Sequence, residues 1–198
     1  RVLIMPNTVL HTLIVIHAIS AVLMAWPFYA LVLTGERGKL GPPLNRADNL
    51  QENIIRKQSH RCLVYQISLL ITGIWIIMLK VDGALLHTFQ TNLRMLAKLL
   101  LLILLVGMNI YMVFYLQRRI DENIALLPAD PDVVPLIAKY RGRRRWMAAI
   151  CLWYVLMAVV LGVQAWASFG QTFIILAAVV AALFVVRAYL RLSPWGWF

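Results

Sequence analysis

The chain reads as an all-α integral membrane protein: a five-transmembrane-helix bundle, N-terminus outside and C-terminus cytoplasmic. Three observations predict this. Of 198 residues, 62% are apolar and 14% charged, with a mean hydropathy of +0.79; a soluble domain of this size leaves too much area in water to hide such a composition. Five runs approach or exceed the roughly 18–20 apolar residues needed to cross hydrocarbon, at about 10–33, 62–79, 96–116, 146–169 and 173–190. Finally, basic residues crowd alternate connections. The whole chain is read as one membrane domain.

Only a helix or a closed barrel satisfies its own backbone in lipid, and these runs are too long and too continuously apolar for barrel strands. The first run lacks a small-residue cleavage site before a polar region and reads as a retained span rather than a signal peptide. Pro27 should bend it. The following connection, 34–61, starts irregularly at Gly41-Pro-Pro43 and then turns helical, with Asp48 as a cap and Gln51 in the capping-box position. Asn49–Arg61 is expected to extend the second span as a polar helical stalk. The connection 117–145 carries Pro128, Pro131 and Pro135 before the run Arg141-Gly-Arg143-Arg144-Arg145. The fourth and fifth runs, joined by a short turn, predict a tight antiparallel hairpin. Small residues four apart (Ala21 and Ala25, Ala158 and Gly162, Ala177 and Ala181, Ala178 and Ala182) predict close helix approach. Trp195, Trp197 and Phe198 read as an interfacial aromatic anchor.

Charge sets the orientation. Arg37, Lys39, Arg46, Arg56, Lys57 and Arg61 lie between the first two runs. Arg118, Arg119, Lys139 and the Arg141–Arg145 run lie between the third and fourth. The second connection has little beyond Lys80 and Arg94, and the fourth has none. The positive-inside rule therefore places both long connections in the cytoplasm. This accounts for the net charge of +11 without nucleic acid. The four arginines Arg141, Arg143, Arg144 and Arg145 read first as a topology anchor, with contact to anionic lipid or an acidic partner as the alternative.

Few residues carry chemistry. No acidic residue falls inside a span, which argues against a carboxylate proton relay. Hydrolase, P-loop, zinc-protease and dinucleotide motifs are missing. Cys62 and Cys151 lack metal or redox spacing and read as small buried hydrophobes. The polar set within the spans is His17, Gln66, Lys98, Asn109 and Gln164. At 1.5 Å per residue, His17 lies roughly 10 Å below the outer boundary and Lys98 about 6 Å below Arg94, so the two can share a level. His60 starts the second span from the other side, a separation that argues against a His17–His60 bis-histidine haem. Lys98 must snorkel, pair or line a cavity; Asp82 or a cofactor carboxylate would serve as partner. His17 reads as a bundle hydrogen-bonder or as a haem or metal ligand. His11, His87 and Met95 gather at the outer face, a donor set that suits copper.

The first span, Val15-Ile-His17-Ala-Ile-Ser-Ala-Val-Leu-Met-Ala-Trp26, resembles the opening helix of CopD-like membrane proteins. Leu69-Leu-Ile-Thr-Gly-Ile-Trp75 resembles their second helix, and Ala97-Lys98 through Gly107-Met-Asn109 resembles their third. The last is also similar to a helix of the HemJ family of protoporphyrinogen oxidases. The resemblance runs from Leu10 to Trp166 and leaves the fifth span outside it; Ser59-His60-Arg61 departs from the HemJ pattern. It implies that His17 and Lys98 match the family's intramembrane His and Lys, which in HemJ-like proteins accompany haem b. CopD-like relatives are associated with copper uptake.

Three functions follow as expectations. The scarcity of polar residues in the spans favours a non-catalytic accessory subunit of a larger membrane complex, redox or energy-converting, in a bacterial inner membrane. The resemblance favours a haem b protein with His17 as ligand and Lys98 at a propionate. The third is copper uptake through His11, His87 and Met95.

Overall fold

The computed structural model describes residues 7–34, 46–80, 89–164 and 169–190. Five helices within it are long and apolar enough to cross a membrane, the architecture of a multi-pass membrane protein. They are α1 (Asn7–Thr34), α2 (Arg46–Lys80), α3 (Leu93–Leu126), α4 (Val134–Gln164) and α5 (Gln171–Leu190).

The membrane runs were read from hydropathy, and the helices outlast them where the sequence turns polar. The expected stalk is present, since α2 is continuous from Arg46 through the apolar run. Asp48 falls in its first turn rather than at its cap, where a carboxylate still favours the helix dipole. The expected connection 117–145 is largely helical. α3 passes through a π-helical segment, Tyr111–Leu116, and continues as Gln117–Leu126. Arg118 pairs with Glu122 at 2.8 Å, one turn on, and Gln117 and Ile120 face inward. Asp130 then caps a 3₁₀ turn, Pro131–Val133, by accepting from the Asp132 N–H at 2.9 Å. α4 starts at once; Pro135 sits in its first turn, where a missing N–H costs little. At the other end of α3, Asn92 accepts from the N–H groups of Arg94 and Met95, starting the helix three residues before the apolar run.

α1 packs on α2, α2 on α3, α3 on α4 and α4 on α1, which closes a ring of four. α5 lies outside the ring, against α4 and the edge of α1. Trp153 Nε1 donates to the Ala178 carbonyl at 3.2 Å and Arg145 to that of Tyr189, so α4 and α5 run antiparallel, as expected. Ala177, Ala178, Ala181 and Val185 form the face of α5 turned to the bundle. In its most apolar window α4 is 39% buried, against 11% for α1 and α5, which makes α4 the central helix. Met24, Phe28, Cys62, Leu105, Leu116, Cys151 and Val155 fill the middle of the ring. Both cysteines are free and buried. The outside is apolar too: Val22, Trp26, Val64 and Phe114 are more than 60% exposed, the pattern of a surface solvated by lipid. The aromatic anchor at Trp195, Trp197 and Phe198 and the turn at Gly41-Pro-Pro43 lie outside the described residues.

Candidate ligand-binding cavity

Alternating direction brings the start of α1, the end of α2, the start of α3 and the end of α4 to one end of the ring. There a cavity of about 360 Å³ opens among the four helices. Ile14, Ala18, Leu69, Leu102, Val155 and Val159 are among its apolar lining, and among the described residues the two ionisable side chains that reach it are His17 and Lys98. His17 and Lys98 share a level, as read from the sequence: Lys98 Nζ lies 3.4 Å from His17 Nε2.

Hydrogen-bond roles follow from these neighbours. An ammonium only donates, so His17 Nε2 accepts. His17 Nδ1 then carries the ring proton and donates to Thr72 Oγ1 at 2.8 Å, while Thr72 Oγ1 donates to the Ser68 carbonyl at 2.7 Å. The chain of donors ends on the backbone of α2. Two glycines make room for it. A methyl group on Gly73 would come to 3.2 Å from His17 Cε1, and one on Gly162 to 3.0 Å from Lys98 Nζ. The space expected at Gly162 for a neighbouring helix thus goes to the lysine tip. Thr72, Gly73 and Gly162 escaped notice as site residues; Thr72 and Gly73 stand in the quoted second-helix motif, one residue apart, and that proximity was the available signal.

The other polar residues of the spans take separate places. Asn109 Nδ2 donates to Gln66 Oε1 at 3.2 Å, both side chains buried. Gln164 is buried, its side-chain amide without a hydrogen-bond partner among the described residues, while its backbone carbonyl accepts from Arg94 at 3.3 Å. His60 lies on α2 about 18 Å from the level of Thr72, at 1.5 Å per residue, exposed and bonded to the Arg56 carbonyl. Of the copper donors, Met95 lines the cavity, His11 is exposed on α1 outside the lining, and His87, like Asp82, lies outside the described residues. Among the described residues no three His, Cys, Asp or Glu side chains gather as a metal site.

The donor chemistry can be compared with haem. Thr72 on Nδ1 is the kind of outer partner that orients a ligating histidine. Yet Lys98 stands directly over Nε2, the atom that would bind iron. The residues as arranged do not fit a haem iron.

At the other end of the ring, three of the four run arginines turn inward. Arg144 reaches both oxygens of Glu52 and also Gln117 Oε1, at 2.5 Å. Arg141 pairs with Asp48 at 2.9 Å and Glu52 at 3.3 Å. Gln117 Nε2 donates to Glu52 at 2.9 Å and Asp121 at 3.1 Å. Arg145 donates to the carbonyls of Val32 and Tyr189 and covers the Tyr189 ring at 4.5 Å; a cation at the C-terminal ends of α1 and α5 also meets their dipoles favourably. Arg143 alone of the four is exposed, 5.3 Å over the Tyr111 ring. Glu52 and Gln117 were missed by the sequence reading. The signal was spacing, because Glu52, Ile55, Cys62, Gln66 and Leu69 form one buried stripe of α2.

The chain matches no family model, no curated protein and no solved structure.

Proposed function

We propose that the chain is a non-catalytic subunit of a larger membrane assembly, redox or energy-converting, and that its cavity holds a lipophilic small molecule. One observation carries this reading. Among the described residues the cavity between the four helices is apolar except at one spot, where Lys98 donates to His17 and His17 to Thr72. Ligand sites have that make-up, apolar walls with a few placed polar groups. Catalysis asks for more, a reactive group with an acid or base free to act beside it. A transporter needs a polar path; between Gln66 and Glu52 the ring is plugged by Cys62, Leu116, Ile120 and Cys151 over about 21 Å of helix.

The concentration of arginine at one end supports the cytoplasmic side for that end, with the N-terminus outside, in a bacterial inner membrane. Arg143 and the exposed basic residues of α2 are then placed for anionic headgroups.

Purification of the full chain from its native membrane in mild detergent tests the reading, with native-gel analysis and a reduced-minus-oxidised visible spectrum. The expected result is a colourless chain that co-migrates with larger subunits and keeps them in His17→Ala. A chain that migrates alone removes the assembly. A b-type band lost in His17→Ala would transfer the function to haem, the reading favoured by Thr72 on Nδ1, and would require Lys98 to leave Nε2. Copper uptake makes a different demand, copper-dependent growth that falls when His87 or Met95 is replaced.

A further inference from the structure

The Lys98 ammonium has three donors and, among the described residues, a single partner, His17 Nε2. That partner brings no negative charge, because its own proton is committed to Thr72 and the chain of donors runs on to the Ser68 carbonyl. Among the described residues no carboxylate pairs with Lys98, and the acidic side chains of α2, Asp48 and Glu52, are paired with arginines at the far end. An ammonium among apolar walls is costly until an anion or water reaches it. The other described residues of the cavity lining are overwhelmingly apolar and ask for hydrocarbon.

We propose that the cavity takes a long-chain carboxylic acid from the bilayer, its carboxylate paired with Lys98 and its chain lying along the apolar lining. This rests on the reading of the cavity as a holder of lipophilic molecules and names the class. Access is from the side. Ile14, Ile74, Val159 and Val163 line the cavity and also lie exposed on the apolar outer surface, so an acyl chain moves between bilayer and cavity without crossing a polar barrier. The basic end is closed off by the apolar plug. A cavity of about 360 Å³ stands at the small end of ligand pockets, roughly 300–1,000 Å³, which suits one chain over a two-chain phospholipid. A quinone would offer Lys98 a carbonyl but leave its charge unbalanced.

The test uses the purified full chain in nanodiscs and a fluorescent polyene fatty acid, with its methyl ester as the uncharged probe. Saturable binding of the acid, at least 10-fold tighter than the ester, is expected for the native chain. Lys98→Met should bind acid and ester alike, while Lys98→Arg keeps the preference, with thermal unfolding checking that each variant is folded. Equal binding of acid and ester to the native chain, or a preference that survives in Lys98→Met, overturns the carboxylate. If the ester binds saturably and Ala158→Phe abolishes it, the lipophile-holding reading survives that loss. If neither probe binds saturably, both readings fall.

Discussion

The two ends of the ring handle buried charge in opposite ways. At the basic end, Asp48 and Glu52 of α2 meet Arg141 and Arg144 of α4, and Gln117 of α3 fills the remaining bonds. Two acids answer two bases, and three helices are tied at one point. At the cavity end, one cation faces one neutral imidazole with no acid among the described residues. The first arrangement is balanced by the chain's own acids; the second has no balancing acid among the described residues. A balanced cluster stabilises a fold, whereas an unbalanced group beside a void marks a place where a ligand contributes the missing partner.

Variants at the two ends should separate these roles. The largest effect is expected at Glu52→Ala, which strands Arg144 beside Gln117; breaking a buried pair from one side costs about 3–5 kcal/mol. It would be read as a lower thermal-unfolding midpoint in detergent. The double variant Glu52→Leu with Arg144→Met should recover most of that loss, since removing both charges also removes their desolvation; a double variant as unstable as the single one would show that the cluster does more than balance charge. Lys98→Met should run the other way, leaving the midpoint unchanged or higher, because it removes a cation from an apolar site. A midpoint fall as large as that of Glu52→Ala would mean that Lys98 has a structural partner and that the two ends are alike. Gly73→Ala asks a smaller question: a methyl group 3.2 Å from His17 Cε1 should cost about 1 kcal/mol through overpacking and weaken ligand binding more than it weakens the fold. Arg143→Ala, exposed on α4, should change stability by less than about 0.5 kcal/mol and act instead on binding to vesicles that contain anionic lipid.

Much of the site could be read early because depth is a one-dimensional property. Counting residues inward from each boundary put His17 and Lys98 on one level, and they meet at 3.4 Å. Rotation about the helix axis could not be counted in the same way. α1, α2, α4 and α5 have almost no amphipathic period, and a helix of that kind carries little signal of which face is inward. Hence Thr72 and Gly162 were not paired with His17 and Lys98. The four clustered arginines share a loop-like stretch of sequence, yet three point inward and one outward. Hydropathy also ended α3 too soon, because it measures the solvent a segment prefers and not whether the segment is helical; Gln117–Leu126 is polar and helical at once.

The amino-acid sequence by itself determined the number of helices long and apolar enough to cross a membrane and the level at which His17 and Lys98 sit in them. Each crossing must satisfy its own backbone in hydrocarbon, so that information is local to each run. The tertiary structure alone decided that four helices close a ring with the fifth outside, that Asp48 and Glu52 neutralise the basic end while Gln117 fills its remaining bonds, and that Lys98 faces a cavity with an imidazole as its neighbour. Those facts depend on how helices rotate against one another. Rotation is set by the packing of side chains distant in sequence, which no single run encodes.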